Sequence, residues 1–139
     1  MRPLEWEIPD VLAASARPGR ELDAAVPRES VDRWLGEVQA MGIRSIICLL
    51  DKKHLVLYDE LPGGLVEYYR QRGFQAYNLA VRDPAHYPGG WEELEANLER
   101  IWDAYQGMMK PVLVHCSAGI DRTGRVVGYL TRRLGECND

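Results

Sequence analysis

The stretch "VLVHCSAGIDRTGR", residues 112–125, holds the side chains whose types and spacing could do chemistry. Cys116 closes an apolar run, five residues intervene, and Arg122 and Thr123 follow. A cysteine thiolate is a strong nucleophile. A guanidinium fork matches two oxygens of a phosphoryl group and the charge that builds on them in a transition state. A threonine hydroxyl next to the arginine can donate a hydrogen bond to the sulfur and help it leave again. Ser117, Ala118 and Gly119 are small enough to let backbone approach a phosphate, so the amides from Ser117 through Ile120, Asp121 and Arg122 are candidate phosphate donors. His115 is placed to fix the loop by bonding neighbouring backbone. Singly, each residue has an ordinary explanation, because a cysteine after "VLV" is most often a small core residue and an arginine on a helix is usually solvated. Their joint spacing points to attack on phosphorus.

Such groups work only if a strand and a helix position them. "PVLVH" reads as a short strand, "CSAGID" as a loop and "RTGRVVGYLTRRLG" as a helix. Amides of such a loop and of the first helical turn lack intrahelical partners and form a cradle for an anion. The helix dipole favours a thiolate there. In open α/β sheets, ligands bind beyond the carboxyl ends of the strands, which is where Cys116 falls.

Upstream, "EWEIPDVLAAS" reads as two short strands around a Pro-Asp turn, and "ARPGRELDAAVPR" as a polar connection. "ESVDRWLGEVQAMG" carries Val31, Trp34, Leu35, Val38 and Met41 at helical spacing and stops at Gly42. "SIICLL" reads as a buried strand ending at "DKKH", "GLVEYYRQRG" as a helix closing on Gly73, and "FQAYNLAV" as a second buried strand. After the proline-rich loop "RDPAHYPGG", the clearest helix is "WEELEANLERIWDAY". There Trp91, Leu94, Leu98, Ile101, Trp102 and Tyr105 form one core-facing stripe. Strands alternating with helices, without repeats or a long linker, predict one α/β domain over residues 1–139. Its centre is a mostly parallel sheet flanked by helices, with the phosphate-binding loop between a strand and a helix.

Composition narrows the function classes. The chain has 139 residues, 46% of them hydrophobic and 27% charged, close to the globular average and unlike a disordered chain. No apolar run is long enough to span a bilayer, and "MRPLEWEIPD" has charges and prolines where a signal peptide is apolar, which predicts a cytoplasmic protein with no membrane partner. A net charge of −4 gives no general attraction to polyphosphate backbones, so no nucleic-acid partner is expected. Cysteines at 48, 116 and 137 make neither a disulfide framework nor a metal site. "GIDRTGRV" has the glycine spacing of a nucleotide-binding loop but offers Arg125 and Val126 where Lys and Ser/Thr are needed.

His115, Cys116, five residues, Arg122 and Thr123 together resemble the signature of the cysteine-dependent protein tyrosine phosphatase superfamily. The motif's late position in a short chain resembles the dual-specificity branch, and "EWEIPDVLAASARPG" resembles the opening of its small atypical members. The resemblance covers most of the chain and implies a two-step hydrolysis through a phosphocysteine, with no metal or cofactor. The implied substrate is a phosphorylated protein or peptide, phosphotyrosine with phosphoserine or phosphothreonine as further candidates. It also implies a general acid from a mobile loop after the strand preceding the long helix. In "NLAVRDPAHYP" that acid is Asp83, with Pro84 and Pro88 stiffening the loop, Gly89 and Gly90 as pivots, and His86 and Tyr87 as loop surface. Asp121 is the competing carboxylate.

Aspartate at that place in the motif also occurs in lipid phosphatases and bacterial members of the superfamily, which keeps a phosphoinositide or an RNA 5′ phosphate open as substrate. Ser117 and Ile120, standing where such lipid enzymes carry lysines, favour phosphoprotein. Lys52, Lys53 and His54, in the loop after "SIICLL", are further candidates to meet substrate charge, and Cys48 is a candidate disulfide partner for Cys116, as relatives protect their thiolate in a comparable strand. Cys137 reads as an exposed bystander. The family's further C-terminal helices are expected to be absent. A sulfurtransferase also places cysteine in an anion loop but has no use for Arg122, Thr123 and a distant acid. A phosphate-binding module without catalysis is the remaining alternative, and oligomeric state is left open.

Overall fold

The computed structural model describes residues 1–22 and 24–137, so residues 23, 138 and 139 of the expected domain lie outside the described residues. Within these described residues five strands form one sheet: β1 Glu5–Ile8, β2 Leu12–Ser15, β3 Ser45–Cys48, β4 Gln75–Asn78 and β5 Val112–His115. Their order is β1-β2-β5-β3-β4. Only β1 runs antiparallel, pairing with β2, while β2–β5, β5–β3 and β3–β4 are parallel. Among the described residues five helices accompany them: α1 Arg28–Ala40, the single turn α2 Lys52–Leu55, α3 Gly64–Gln71, α4 Gly90–Gly107 and α5 Asp121–Cys137. Short 3-10 turns cover Arg20–Leu22 and Val56–Tyr58.

The three inner strands are buried along their whole length, as parallel strands covered on both faces must be. Successive side chains point to opposite faces. Thus Leu12, Ala14, Ile47, Val112, Val114 and Cys116 join a core with α4 and α5. Ala13, Ile46, Cys48 and Leu113 join a second core with α1 and α3. Cys48 and Cys116 therefore belong to opposite faces of the sheet.

Three details differ from expectation. "FQAYNLAV" is not a buried strand, because β4 is the outer strand of the sheet and its residues are exposed or half-buried. Trp91 lies outside the buried stripe of α4, 45% exposed at the helix N-terminus, while Leu94, Leu98, Ile101, Trp102 and Tyr105 are buried as expected. Lys52, Lys53 and His54 lie not in an open loop but in α2, whose turn closes through His54 N–H and Leu55 N–H donating to Asp51 O at 3.2 and 3.1 Å. Among the described residues no helix is long and apolar enough to cross a membrane.

Candidate active site

All four parallel strands deliver their following loops to one edge of the sheet, and the reactive residues gather there. Cys116 follows β5 directly and is 2% exposed; Arg122, at the second position of α5, is 1% exposed. Gly119 makes the turn between them at φ +78°, a region that side-chained residues rarely adopt. A Cβ there would come within 2.7 Å of the Ser15 carbonyl and the Ala16 nitrogen, so the loop also presses backbone to backbone against the end of β2.

The orientation of the loop amides follows from what holds their carbonyls. Cys116 O accepts from His115 Nδ1 at 3.1 Å, Ser117 O from Arg17 N–H at 2.9 Å, and Ala118 O from Arg2 N–H at 2.8 Å. In a trans peptide the N–H points opposite the C=O. The amides of Ser117, Ala118 and Gly119 are thereby turned away from these outer contacts, and among the described residues they and the Ile120 amide have no protein acceptor. Unpartnered amides turned to one side at a helix N-terminus are an anion site. Ser117 is buried, Ala118 half-buried, Ile120 52% exposed, and Asp121 exposed as the first residue of α5.

His115 is fully buried, its ring edge-on to Trp34 and Tyr69. A carbonyl oxygen only accepts, so Nδ1 carries the proton toward Cys116 O, and Nε2 accepts from the Tyr69 hydroxyl at 2.9 Å. Burial pushes its pKa down to about 4, and the positive charges of Arg122 and Arg17 add to that, against the opposing bond to Cys116 O. Thr123 is fully buried with Oγ1 unpartnered among the described residues; the expected bond to the Cys116 sulfur is not made.

Asp83 approaches from the loop after β4. Its Oδ2 lies 3.8 Å from Arg122 Nη2, while Oδ1 accepts from Ala85 N–H at 3.0 Å. Arg122 also donates from Nη1 to Val81 O at 2.7 Å and reaches Leu49 O at 3.4 Å, so its fork is seated on the carbonyl ends of two neighbouring segments. The acid loop is braced in turn. Arg82 gives its amide to Glu93 Oε1 at 2.9 Å and its side chain to Oε2 at 3.1 and 3.3 Å. Gly90 packs under the loop, where a Cβ would meet Pro84 Cα at 2.7 Å, so it serves close approach. His86 is exposed and Tyr87 half-buried.

Cys116, Arg122, Thr123, His115 and Asp83 are thus brought to one place, and Cys48 is not brought to Cys116. Both thiols are free. Cys48 lies in the opposite core, opposite His115 in the β3–β5 register, and burial pushes its thiol up to about 12, which keeps it protonated and unreactive. Cys137 is exposed. Asp51 and His54 flank the site at the start of α2, 4.0 Å apart. Burial, then the charges of Arg17 and Arg122, hold the imidazole of His54 below its ordinary pKa. Among the described residues no group of three His, Cys, Asp or Glu is arranged to hold a metal ion. A groove of about 610 Å³, lined by Arg70, Phe74, Tyr77, Ala104 and Met108 among others, lies at the β4 edge and shares no residue with this site.

Arg17 carries no functional signal in the sequence, where it lies in the polar connection "ARPGRELDAAVPR". It is 4% exposed, donates from Nε to Ser117 Oγ at 3.3 Å and from Nη1 to Tyr58 OH at 3.1 Å. No local pattern signals its burial, because both partners are distant in sequence.

Known proteins resemble the chain in family and in fold. A family model described as "Tyrosine phosphatase family" matches residues 67–139, a span that holds Asp83 and the whole loop from His115 to Thr123. Two crystal structures of a candidate phosphatase (DUF442) from Shewanella putrefaciens CN-32 share the fold. Each has a TM-score of 0.61 and 20% identity over 98% of this chain, covering 74% and 71% of theirs. No curated protein matches the chain.

Proposed function

The chain belongs to the tyrosine phosphatase family, and on that premise we propose that it hydrolyses phosphotyrosine, with phosphoserine and phosphothreonine as further substrates, through a phosphocysteine on Cys116. The observation that carries this reading is the convergence at one sheet edge of a buried cysteine, four unpartnered loop amides, the buried guanidinium of Arg122 and the carboxylate of Asp83. The phosphoryl oxygens lie against the amides and the Arg122 fork, which stabilise the charge spread over them in the transition state. Cys116 Sγ attacks phosphorus, the P–O bond to the leaving group breaks, and Asp83 gives that oxygen its proton. Asp83 then takes a proton from water as water attacks the phosphocysteine, and the thiolate leaves with inorganic phosphate as second product. Thr123 Oγ1, buried and without a partner among the described residues, is the donor available to the departing sulfur.

Hydrolysis of an activated aryl phosphate in excess chelator tests this. The native protein is expected to turn over, Cys116→Ser to be inactive yet still bind phosphate, and Asp83→Asn to lose about 100-fold or more with poor leaving groups and far less with good ones. Full activity in Cys116→Ser overturns the phosphocysteine. Phosphate binding without turnover in the native protein leaves the non-catalytic module.

A further inference from the structure

We propose that Arg17 is a positioning residue of the phosphate site and its second buried cation, holding Ser117 and presenting a charge that the bound phosphoryl group balances. The proposal rests on the phosphatase reading above and names a residue outside the loop and the acid segment.

Three contacts place it. The Arg17 amide donates to Ser117 O at 2.9 Å and its Nε to Ser117 Oγ at 3.3 Å, so one residue grips both the backbone and the side chain of the first loop position after the nucleophile. Its Nη1 donates to Tyr58 OH at 3.1 Å, and that hydroxyl donates to Pro18 O at 2.6 Å, which locks the guanidinium from behind. A rigid fork held at both ends fixes Ser117, and through the peptide plane it fixes the direction of the next amide.

Charge ties Arg17 to the site as well. Arg17 and Arg122 are both buried, at 4% and 1% exposure. Arg122 has Asp83 at 3.8 Å, whereas among the described residues no carboxylate lies within ion-pair distance of Arg17. A buried cation without a counter-charge is costly. The ring of Tyr58, 6.0 Å from the guanidinium carbon, offsets little of that. The charge is felt at His54 and His115, whose pKa values are lowered first by burial and further by Arg17, so neither imidazole is a competing source of positive charge near neutral pH. Arg17 thus brings to the phosphate site a buried positive charge that no carboxylate pairs among the described residues, and a phosphate dianion supplies the opposite charge.

The test compares native protein, Arg17→Met and Arg17→Lys in tungstate titration calorimetry, in kcat and KM for an aryl phosphate, and in thermal melts. Tungstate is the probe because it needs no turnover. Arg17→Met keeps the stem over Tyr58 and loses both donors and the charge; it is expected to bind tungstate about 10- to 100-fold more weakly, with a comparable loss in kcat/KM. Arg17→Lys restores the charge without the fork and is expected to recover part of both losses. A purely structural prop would lower both melting temperatures while leaving tungstate affinity and kinetics of the folded protein within about twofold of native, and that result overturns the proposal. Should Arg17→Met not fold, Tyr58→Phe loosens the same guanidinium from behind, and unchanged tungstate affinity there overturns it equally. Native protein that neither binds tungstate nor hydrolyses the ester sinks the phosphatase reading and this proposal together; native activity with an indifferent Arg17→Met sinks this proposal alone.

Discussion

His115 shows how one side chain can tie catalysis to stability. Its Nδ1–H holds Cys116 O and its Nε2 takes the Tyr69 proton, an arrangement that requires the neutral ring. Unfolded, the imidazole titrates near 6.5; folded, at about 4. Between those values the unfolded chain binds more protons than the native one, so this residue's contribution to stability is intact above pH 6.5 and is lost as pH falls toward 4. By pH 5 the loss amounts to about 2 kcal/mol. His115→Asn keeps an amide donor for Cys116 O and removes the titration. Urea unfolding at pH 7 and pH 5 is expected to show a smaller acid-side loss in the variant by about that amount. An equal loss in both proteins would place the acid sensitivity elsewhere. Cys116, Arg122 and Thr123 were legible at this scale because one short stretch carries all three. Arg17 was not, since an arginine between Ala16 and Pro18 looks solvated until Ser117 and Tyr58 fold onto it.

At the scale of elements, two glycines separate the functions of the two loops. Gly119 combines φ +78° with a 2.7 Å approach to β2 backbone, so Gly119→Ala must displace the phosphate loop itself. Gly90 has an ordinary φ but no room, so Gly90→Ala pushes on Pro84 and Arg82, which carry Asp83 between them. Gly119→Ala is expected to abolish tungstate binding and turnover together and to cost about 1–3 kcal/mol of stability. Gly90→Ala is expected to keep tungstate binding within about threefold while slowing hydrolysis of poor leaving groups at least tenfold more than good ones. Uniform slowing across a series of aryl phosphates would mean that Asp83 did not move. The strands and long helices that carry these loops were legible from apolar runs and helical spacing. β4 was misread because an apolar run looks alike in an inner strand and in an outer one with helices against its faces. The single turn α2 is too short to show any period, and Trp91 followed the stripe of α4 by spacing while lying in its exposed first turn.

Across the whole molecule, β5 lies between β2 and β3, so the nucleophile emerges from the middle of the sheet with a core on each face behind it. That central place was implied by the alternation of strands and helices; the strand order was not, because no local signal specifies which strands pair. The order also determines who holds the loop: Arg2 and Arg17, flanking β1 and β2, grasp Ala118 and Ser117, and Arg17 stands 100 positions from Ser117. Bringing so distant a pair together is the entropically slow part of folding, whereas helices α3, α4 and α5 form from neighbours. On dilution from denaturant, most of the far-ultraviolet helical signal is expected to return before the capacity to bind tungstate, with turnover following the latter. Simultaneous recovery in one exponential would contradict that order. A chain whose helices are already wound but whose early and late segments have yet to meet would be catalytically silent, and activity would begin only with the last stage of assembly.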